Sequence, residues 1–203
     1  MSLIAVRFTS IAAGSHHLIA LTSQGRTFAH PVTRLANFHG QLGLRKISVP
    51  VPADVSKCVP LELTPQTTRD AGINPVMRNP DFYLTEAKLP DTVNHGQTVG
   101  LCDRLFEVPA LRGVGVQQAV AGDRTSFVVT RRDGRVLGWG ANEYGQLGLG
   151  ANVTLPNITA PTEVVLDKFT DRGTATRCVN IAAGACLGCA NLEITHRNTQ
   201  VAI

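Results

Sequence analysis

The chain has 203 residues, a formal net charge of +4 and an isoelectric point near 9.0. Hydrophobic residues make up 43% of it, enough for a packed core, and the 19 glycines and 11 prolines suit short strands and turns better than long helices. The mild positive charge comes without clustered lysines or interleaved aromatic residues, which argues against direct nucleic-acid binding.

The N-terminal segment carries no recognisable targeting signal. Residues 1–10 are too short and too mixed in composition for a signal peptide. No run in the chain approaches the roughly 18 consecutive apolar residues of a spanning helix. We therefore expect no membrane span in this chain.

The first predicted unit, residues 11–44, begins with two small residues and a glycine, followed by an apolar strand from His17 to Leu21. A second β-prone run reaches Phe28, and the chain then passes through an Asn-x-x-Gly-Gln-Leu-Gly run. The same succession occurs again further along the chain, which indicates a repeat protein. The marked positions of this copy are Gly14, His17, Asn37, Gly40, Gln41 and Gly43.

Residues 45–101 interrupt the first repeat. The interval from Gly14 to Gly122 is 46 residues longer than the interval from Gly122 to Gly184. Eight of the 11 prolines lie between Lys46 and Pro109, and proline cannot donate to a sheet ladder. We therefore expect an irregular, proline-containing surface insertion without extra strands.

The insertion contains an apolar cluster in a polar setting. Phe82, Tyr83 and Leu84 stand together there, and such clusters anchor partners or hold a loop onto its own domain. We take these three residues as candidate partner contacts, with packing of the loop on its own domain as the alternative.

The second repeat core, residues 106–150, contains the strongest hairpin signal. Two β-prone runs flank Asp133-Gly134, which predicts a two-residue type I′ turn because that turn needs positive φ at both central residues. The tract from Gly138 to Gly150 follows, with five glycines and the only tryptophan; we expect a buried indole and a tight loop. The marked positions of this copy are Gly122, Gly134, Trp139, Gly140, Asn142, Gly145, Gln146 and Gly148.

A third repeat core is predicted over residues 162–187, marked by Gly184. Beyond it, residues 188–203 lack the apolar strand and the turn glycine, which predicts a divergent polar tail. Four residues of this region could ligate zinc: Cys178, Cys186, Cys189 and His196. The simpler interpretation is that the cysteines fill small or apolar places in the repeat.

Both full copies resemble the repeat of the regulator of chromosome condensation family. The family signature is an apolar residue, two small residues, Gly, two variable positions, His and an apolar strand, which Ile11 to Leu21 fits throughout. Its Trp-Gly-x-Asn-x-x-Gly-Gln-Leu-Gly run matches Gly138 to Gly150. The resemblance implies an all-β fold, a β-propeller with one four-stranded blade per repeat. We expect residues 1–187 to form such a propeller incompletely, as though cut short.

The copies also depart from the family pattern. His17 is the family histidine of the first copy, and the resemblance implies that it helps to tie blades together. Thr125 stands at this position in the second copy and Leu187 in the third. In the first copy, His30-Pro31 replaces Trp-Gly.

The resemblance implies two functions of different classes. One is a non-enzymatic scaffold that binds other proteins. Similarity to fungal mitochondrial members, carried by Phe28–Val32, Leu105–Pro109 and Gly138–Gly150, implies respiratory-complex assembly in the mitochondrion, with cytoplasm or nucleus as the alternative. The other is guanine-nucleotide exchange on a small GTPase, the activity of the founding member.

The sequence contains no motif that indicates catalysis. It has no nucleophile at a recognisable spacing from a base, no P-loop and no dinucleotide fingerprint. We therefore expect neither an enzyme nor a bound cofactor.

Open blade edges in an incomplete ring predict self-association, because unpaired backbone groups at an edge can pair with another chain.

Overall fold

The computed structural model describes residues 6–33, 35–51, 54–62, 105–166, 174–184 and 187–196. These residues form twelve β-strands and a short 3₁₀ turn at Pro109–Leu111, without an α-helix, and no helix among them is long and apolar enough to cross a membrane. The strands are β1 (Phe8–Ala13), β2 (His17–Thr22), β3 (Thr27–Pro31), β4 (Lys46–Val51), β5 (Asp54–Glu62), β6 (Phe106–Glu107), β7 (Val116–Ala121), β8 (Thr125–Thr130), β9 (Val136–Ala141), β10 (Asn157–Glu163), β11 (Thr174–Gly184) and β12 (Leu187–His196).

Each full repeat forms a four-stranded antiparallel sheet. The first sheet has the order β1-β2-β3-β6 and the second the order β7-β8-β9-β10. A ribbon of β11 and β12 represents the third repeat, and a separate ribbon of β4 and β5 lies between β3 and β6 in the chain. Strands β1 and β2 pack against β7, and β11 packs against β7 and β8, so the second sheet lies between the other two.

This stacking explains which strands are buried. All six residues of β8 are buried, because the second sheet is covered on both faces. Its apolar run Phe127-Val128-Val129 is what a strand covered on both faces requires. In contrast, five of the six residues of β1 are exposed, because β1 is an edge strand of a sheet that the second sheet covers on one face.

The predicted hairpin is present, but its turn is wider than expected. Thr130 and Arg135 are paired through a 2.9 Å backbone bond, so the loop has four residues, and its last, Gly134, has positive φ (65°). The Thr130 hydroxyl donates to the Asp133 carboxylate and accepts from the Arg135 amide at 2.8 Å. These side-chain bonds close the wider loop, so the prediction of a two-residue turn is wrong.

The expectation that the proline-containing insertion forms no strands is wrong for residues 46–62. Strands β4 and β5 pair antiparallel there, with Pro50 opposite Cys58 and Pro60 opposite Ser48. In a two-stranded ribbon both strands are edges, so half of the backbone N–H groups point away from the partner strand. Proline is tolerated at such positions. The candidate contacts Phe82, Tyr83 and Leu84 lie outside the described residues.

The polar tail is also partly a strand. Strand β12 pairs with β11 from Leu187 opposite Gly184 to His196 opposite Thr174. The prediction of a strandless end after residue 187 is therefore wrong up to His196. The two strands pair through their backbones, which needs no continuous apolar run or turn glycine.

Candidate functional site

The joint between the first and second sheets is a chain of buried hydrogen bonds. The indole Nε1 of Trp139 donates to the Gln41 carbonyl at 2.9 Å, and the Ser126 hydroxyl donates to the same carbonyl at 2.8 Å. The His17 Nε2 lies 2.7 Å from the Ser126 oxygen. Trp139, His17 and Ser126 are all fully buried, which confirms the expectation of a buried indole.

This arrangement determines the protonation of His17. Because the Ser126 hydroxyl gives its proton to the Gln41 carbonyl, Nε2 of His17 must carry the proton that it donates to Ser126. The other ring nitrogen, Nδ1, is buried and has no hydrogen-bond partner among the residues that the structure describes. Burial, followed by the nearby His16, lowers the pKa of His17 to about 4, so the ring is neutral at physiological pH.

The two sheets approach closely where Gly14 meets Gly122. A Cβ at Gly14 would clash with the Gly122 carbonyl oxygen and would lie 2.9 Å from the His17 ring. A side chain there would therefore separate the sheets or displace the histidine. The small residues that open each repeat are explained by this contact between backbones.

The Asn-x-x-Gly-Gln-Leu-Gly runs form loops that share two internal bonds in the two copies. Asn37 accepts from the Leu42 amide at 3.2 Å, and its counterpart Asn142 accepts from the Leu147 amide at 3.3 Å. The donor side differs, because Asn37 donates to the Leu44 carbonyl and Asn142 to the Leu155 carbonyl beyond the run, both at 3.2 Å. The side-chain oxygens of Gln41 and Gln146 accept from the amides of His39 and Tyr144, both at 2.9 Å. The marked glycines of these runs, Gly40, Gly43, Gly140, Gly145 and Gly148, all have positive φ.

The third repeat is attached to the second sheet differently. The side-chain amide of Gln118 bonds both backbone groups of Ile181, at 2.7 Å to the carbonyl and 2.9 Å from the amide. The Gly134 carbonyl accepts from the Cys178 amide at 2.9 Å. In the β11–β12 ribbon, Gly184 pairs with Leu187, which replaces the family histidine.

The long loops that follow β3 and β9 lie together at one end of the sheets, which we call the loop end. The His39 ring bonds the Asn157 side chain at 2.8 Å, which joins the loop of the first sheet to the second sheet. The Asn142 amide bonds the Pro156 carbonyl at 2.7 Å. These bonds connect one continuous surface from residues 35–40, through 155–157, to 142–146.

This surface exposes large apolar side chains. Phe38 is 64% exposed, Tyr144 82%, and Leu35 and Leu155 are also largely exposed. Phe38 and Tyr144 occupy variable positions of the Asn-x-x-Gly runs, whose backbone is fixed by the asparagine and glutamine bonds described above. An ion pair between Arg124 and Glu143, at 3.7 Å, borders the surface. Exposed apolar side chains on hydrogen-bonded loops with a charged margin are typical of protein-interaction sites.

The buried Ser126–His17 contact does not resemble a nucleophile with its base. The Ser126 proton is already donated to the Gln41 carbonyl, and both side chains have no solvent exposure. A substrate would need access to the hydroxyl oxygen. The geometry therefore assigns this pair a structural role between the sheets.

The possible zinc ligands of the third repeat are spread along the ribbon. Cys189 lies opposite Ala182 and His196 opposite Thr174, seven residues apart in one strand. A strand rises about 3.3 Å per residue, so their backbones are roughly 23 Å apart and both cannot ligate one ion. Burial raises the pKa of the Cys178 thiol, whose Sγ contacts the Asn180 carbonyl at 3.3 Å. Cys186 lies outside the described residues.

Sequence reasoning identified the repeat positions but missed two groups. Ser126, the Gln41 carbonyl and Gln118 carry the joints between sheets, and no motif position signals them. The sequence could have indicated the exposed residues Phe38 and Tyr144, because both are aromatic and occupy variable positions of the repeat within a short polar run.

The sheets define the class of this protein. Each full repeat forms one four-stranded antiparallel sheet, and the sheets pack face to face. The chain passes from the outer strand of one sheet to the next sheet. This architecture is a partial β-propeller. Two models of the regulator of chromosome condensation (RCC1) repeat match residues 116–146 and 133–190. Residues 116–190 therefore match the repeat of the regulator of chromosome condensation family.

Known proteins are similar to this chain over most of its length. The human E3 ubiquitin-protein ligase HERC2 is 25% identical over an alignment of 160 positions that covers 75% of this chain and 3% of HERC2. The alignment with the structure of Prp20p from Saccharomyces cerevisiae covers 91% of this chain and 31% of the Prp20p chain, at 18% identity and a TM-score of 0.51. The alignment with the structure of human WBSCR16 covers 91% of this chain and 30% of the WBSCR16 chain, at 17% identity and a TM-score of 0.49. The chain thus spans less than a third of each of these proteins.

Proposed function

We propose that this chain is a non-enzymatic protein-interaction scaffold, and that its contact surface is the loop end. The observation that carries this proposal is the exposure of Phe38 and Tyr144, with Leu35 and Leu155 beside them. Aromatic residues dominate the energy of protein interfaces when they are buried by a partner. Large apolar side chains grouped on one surface of a folded domain mark an interaction site.

The scaffold holds these side chains in place. Gln146 fixes the Tyr144 amide, and the His39 ring bonded to Asn157 fixes the loop that carries Phe38. Phe38 also packs edge-on to the His39 ring, with 4.9 Å between ring centroids. Because the loops are already ordered, a partner loses little free energy in ordering them, which favours binding.

The setting that we propose is assembly of respiratory complexes in the mitochondrion. It is supported by the resemblance of Phe28–Val32, Leu105–Pro109 and Gly138–Gly150 to fungal mitochondrial members of the family. Import of a tagged full-length protein into isolated mitochondria, followed by protease protection, tests this compartment. Exclusive cytoplasmic or nuclear fluorescence of the same protein would contradict it.

The test of the contact surface uses site-specific photo-crosslinking in cells. A benzophenone amino acid replaces Tyr144 at the loop end or, as the matched control, Val179 on β11, which is 53% exposed. We expect protein adducts from position 144 and few from position 179. Equal adducts from both positions, or none from position 144, would contradict the proposal.

Nucleotide exchange on a small GTPase is the second candidate. Prp20p, whose fold this chain shares, binds Gsp1p and histones. The test is the release of fluorescent GDP from small GTPases mixed with the full chain. Accelerated release that is lost in a Tyr144→Ser variant would favour exchange at the loop end over a scaffold.

A further inference from the structure

Arginines collect at the end of the sheets opposite the loop end, which we call the turn end. Three connections meet there in a row: the β2–β3 turn, the connection from β6 to β7, and the β8–β9 turn. The Val116 amide bonds the Gly25 carbonyl at 2.9 Å, and the Arg131 amide bonds the Gly115 carbonyl at 2.7 Å. The start of β11 continues the row, because the stem of Arg177 lies against Gly134.

Some of these arginines are neutralised within the chain. Arg26 pairs with Glu107 at 2.7 Å, and Arg135 pairs with Asp133 at 2.6 Å and Glu163 at 3.3 Å. The Arg26 guanidinium lowers the pKa of the Glu107 carboxyl, and the Thr130 hydroxyl, with the Arg135 guanidinium as a smaller cause, lowers the pKa of the Asp133 carboxyl. The two pairs are therefore intact at neutral pH.

Other arginines of the row keep an uncompensated charge. Arg131, Arg132 and Arg177 are exposed, and none forms an ion pair within the part of the chain that the structure describes. The Arg177 guanidinium donates to the Arg131 backbone carbonyl at 3.5 Å, which places its charge beside the turn that carries Arg131 and Arg132. Glu193 lies opposite Arg177 in the ribbon register but forms no ion pair with it. At the loop end, by contrast, Arg124 is offset by Asp123 and Glu143.

A cleft of mixed character opens beside Arg135. It has a volume of about 470 Å³ and lies between the second sheet and the start of β11. Its lining combines the aliphatic residues Val136, Val164, Val165 and Leu166 with Gly134, Arg135, Glu163 and Thr176. The Glu163 carboxylate is paired with Arg135 at 3.3 Å. The turn end thus combines a positively charged row with a site for an apolar side chain.

We propose that the turn end binds an extended acidic segment of another protein, with carboxylates on Arg131, Arg132 and Arg177 and an apolar side chain in the cleft. Guanidinium groups bind carboxylates through two parallel hydrogen bonds, which gives direction as well as charge. Neighbouring sheets pack about 10 Å apart and an extended chain rises about 3.3 Å per residue. Acidic residues about three positions apart therefore match arginines on successive sheets.

The cleft favours a polypeptide over a nucleic acid. Single-stranded nucleic acid binds through phosphate contacts together with aromatic side chains on which its bases stack. The described residues that line the cleft beside Arg135 include four aliphatic side chains and no aromatic one, so they can contact an apolar side chain but offer no stacking surface. Charge and cleft together fit a segment in which acidic and apolar residues alternate.

The test measures fluorescence anisotropy with the full chain. The probe is a fluorescein-labelled peptide with the repeated sequence Glu-Leu-Ser, and its partner has Gln in place of Glu. Arg132→Glu is compared with Arg45→Glu, because Arg45 is also exposed but lies in the loop after β3. Charge reversal at a charge-assisted bond should weaken the Glu peptide at least about tenfold for R132E and less than about twofold for R45E. Urea unfolding of both variants verifies that they remain folded.

Several results would overturn the proposal. They are equal loss of binding in R132E and R45E, equal binding of the Glu and Gln peptides, and tighter binding of a single-stranded oligodeoxythymidine or of phosphatidylserine vesicles with the same dependence on Arg132. Tyr144→Ser serves to separate this site from the loop end. It should leave peptide binding unchanged, so that failure at one end is distinguishable from failure at the other.

Discussion

At the scale of single residues, Trp139 joins two contributions that can be separated by mutation. Its ring fills the space between the sheets, and its Nε1 donates to the Gln41 carbonyl at 2.9 Å. The same carbonyl also accepts from Ser126, so loss of the indole donor leaves it with one bond. The packing and the hydrogen bond should therefore have different energetic weights.

We expect Trp139→Ala to lower the free energy of unfolding by about 3–5 kcal/mol, because it leaves a large cavity. Trp139→Phe keeps most of the ring volume and should cost about 1–2 kcal/mol, mainly through the lost hydrogen bond. Urea unfolding monitored by circular dichroism measures both. Tyr144→Ala, at an exposed aromatic residue, is the control and should lie within about 0.5 kcal/mol of the wild type. Similar losses for Tyr144→Ala and Trp139→Ala would contradict the buried position of Trp139.

His17 makes the stability depend on pH. In the folded protein its pKa is lowered to about 4, whereas an unfolded histidine titrates near 6.5. Below about pH 6.5 the unfolded chain binds a proton that the folded chain refuses, so stability falls from there to about pH 4 and then levels off. The contribution is complete at higher pH.

We expect the wild type to lose roughly 2–3 kcal/mol of unfolding free energy from this residue between pH 7 and pH 4.5. The measurement is urea unfolding at both pH values in the wild type and in His17→Gln. The variant should be less stable at pH 7 but should show a smaller loss on acidification. The same pH dependence in both proteins would show that other groups are responsible.

At the scale of elements, the sheets are joined by side chains that bond the backbone of a neighbouring sheet. Gln118 does this for the third repeat with two short bonds to Ile181. Gln117, beside it in β7, makes a single 3.4 Å contact with the Cys178 carbonyl. The adjacent pair allows a matched comparison within one strand.

We expect Gln118→Ala to loosen β11 and Gln117→Ala to change it little. Loss of the Gln118 amide leaves two buried backbone groups of Ile181 without partners, which costs about 1–3 kcal/mol. Hydrogen exchange followed by mass spectrometry should show faster exchange of β11 peptides in Gln118→Ala, with β8 peptides unchanged. Equal exchange in both variants would mean that apolar packing alone holds the ribbon.

The sequence predicted the elements whose pattern is local. The strand from His17 to Leu21 and the hairpin around Gly134 follow from apolar runs and turn residues that act over a few positions. The four-residue turn is stabilised by bonds among Thr130, Asp133 and Arg135. The free-energy difference between this turn and a two-residue turn is too small for residue propensities to predict. The sequence pattern did not predict strands β4 and β12, because pairing with a neighbouring strand holds proline and polar residues in an extended backbone.

The candidate site was predictable only in part. Gly14, His17 and Trp139 were readable because the repeat marks them, and their contacts explain why each is needed. The partner of Trp139 is a backbone carbonyl 98 positions away in the chain, which no local pattern encodes. The loop end and the turn end emerge only when the repeats are stacked, because their residues come from separate parts of the chain.

At the scale of the whole molecule, the two ends of the stacked sheets differ in chemistry. The loop end presents Phe38 and Tyr144 with balanced charges, and the turn end presents the exposed Arg131, Arg132 and Arg177 near a cleft of mixed polar and aliphatic lining. The buried joints between the sheets hold both ends in a fixed relation. If both ends bind partners as we propose, the chain would bring two proteins together at once.

The stacking also leaves part of the first sheet uncovered within the described residues. Ile11 of β1 is 67% exposed and Phe8 is 39% exposed, and both lie in a strand at the edge of its sheet. An edge strand with exposed apolar side chains is a template for pairing with another chain. In a repeat protein, a unit with one neighbour also lacks the stabilising interface that a second neighbour supplies.

We therefore expect the isolated 203-residue chain to self-associate at micromolar concentrations and Ile11→Lys to reduce the association, because edge charges oppose strand pairing. Sedimentation velocity at several concentrations measures the association state, and Tyr144→Ser controls for apolar exposure elsewhere. If the loop end mediated the association, Tyr144→Ser would disperse the protein and Ile11→Lys would not. A wild-type chain that stays monomeric and melts cooperatively above about 65 °C, hotter than most mesophilic domains, would show that the described sheets form a stable unit without further neighbours.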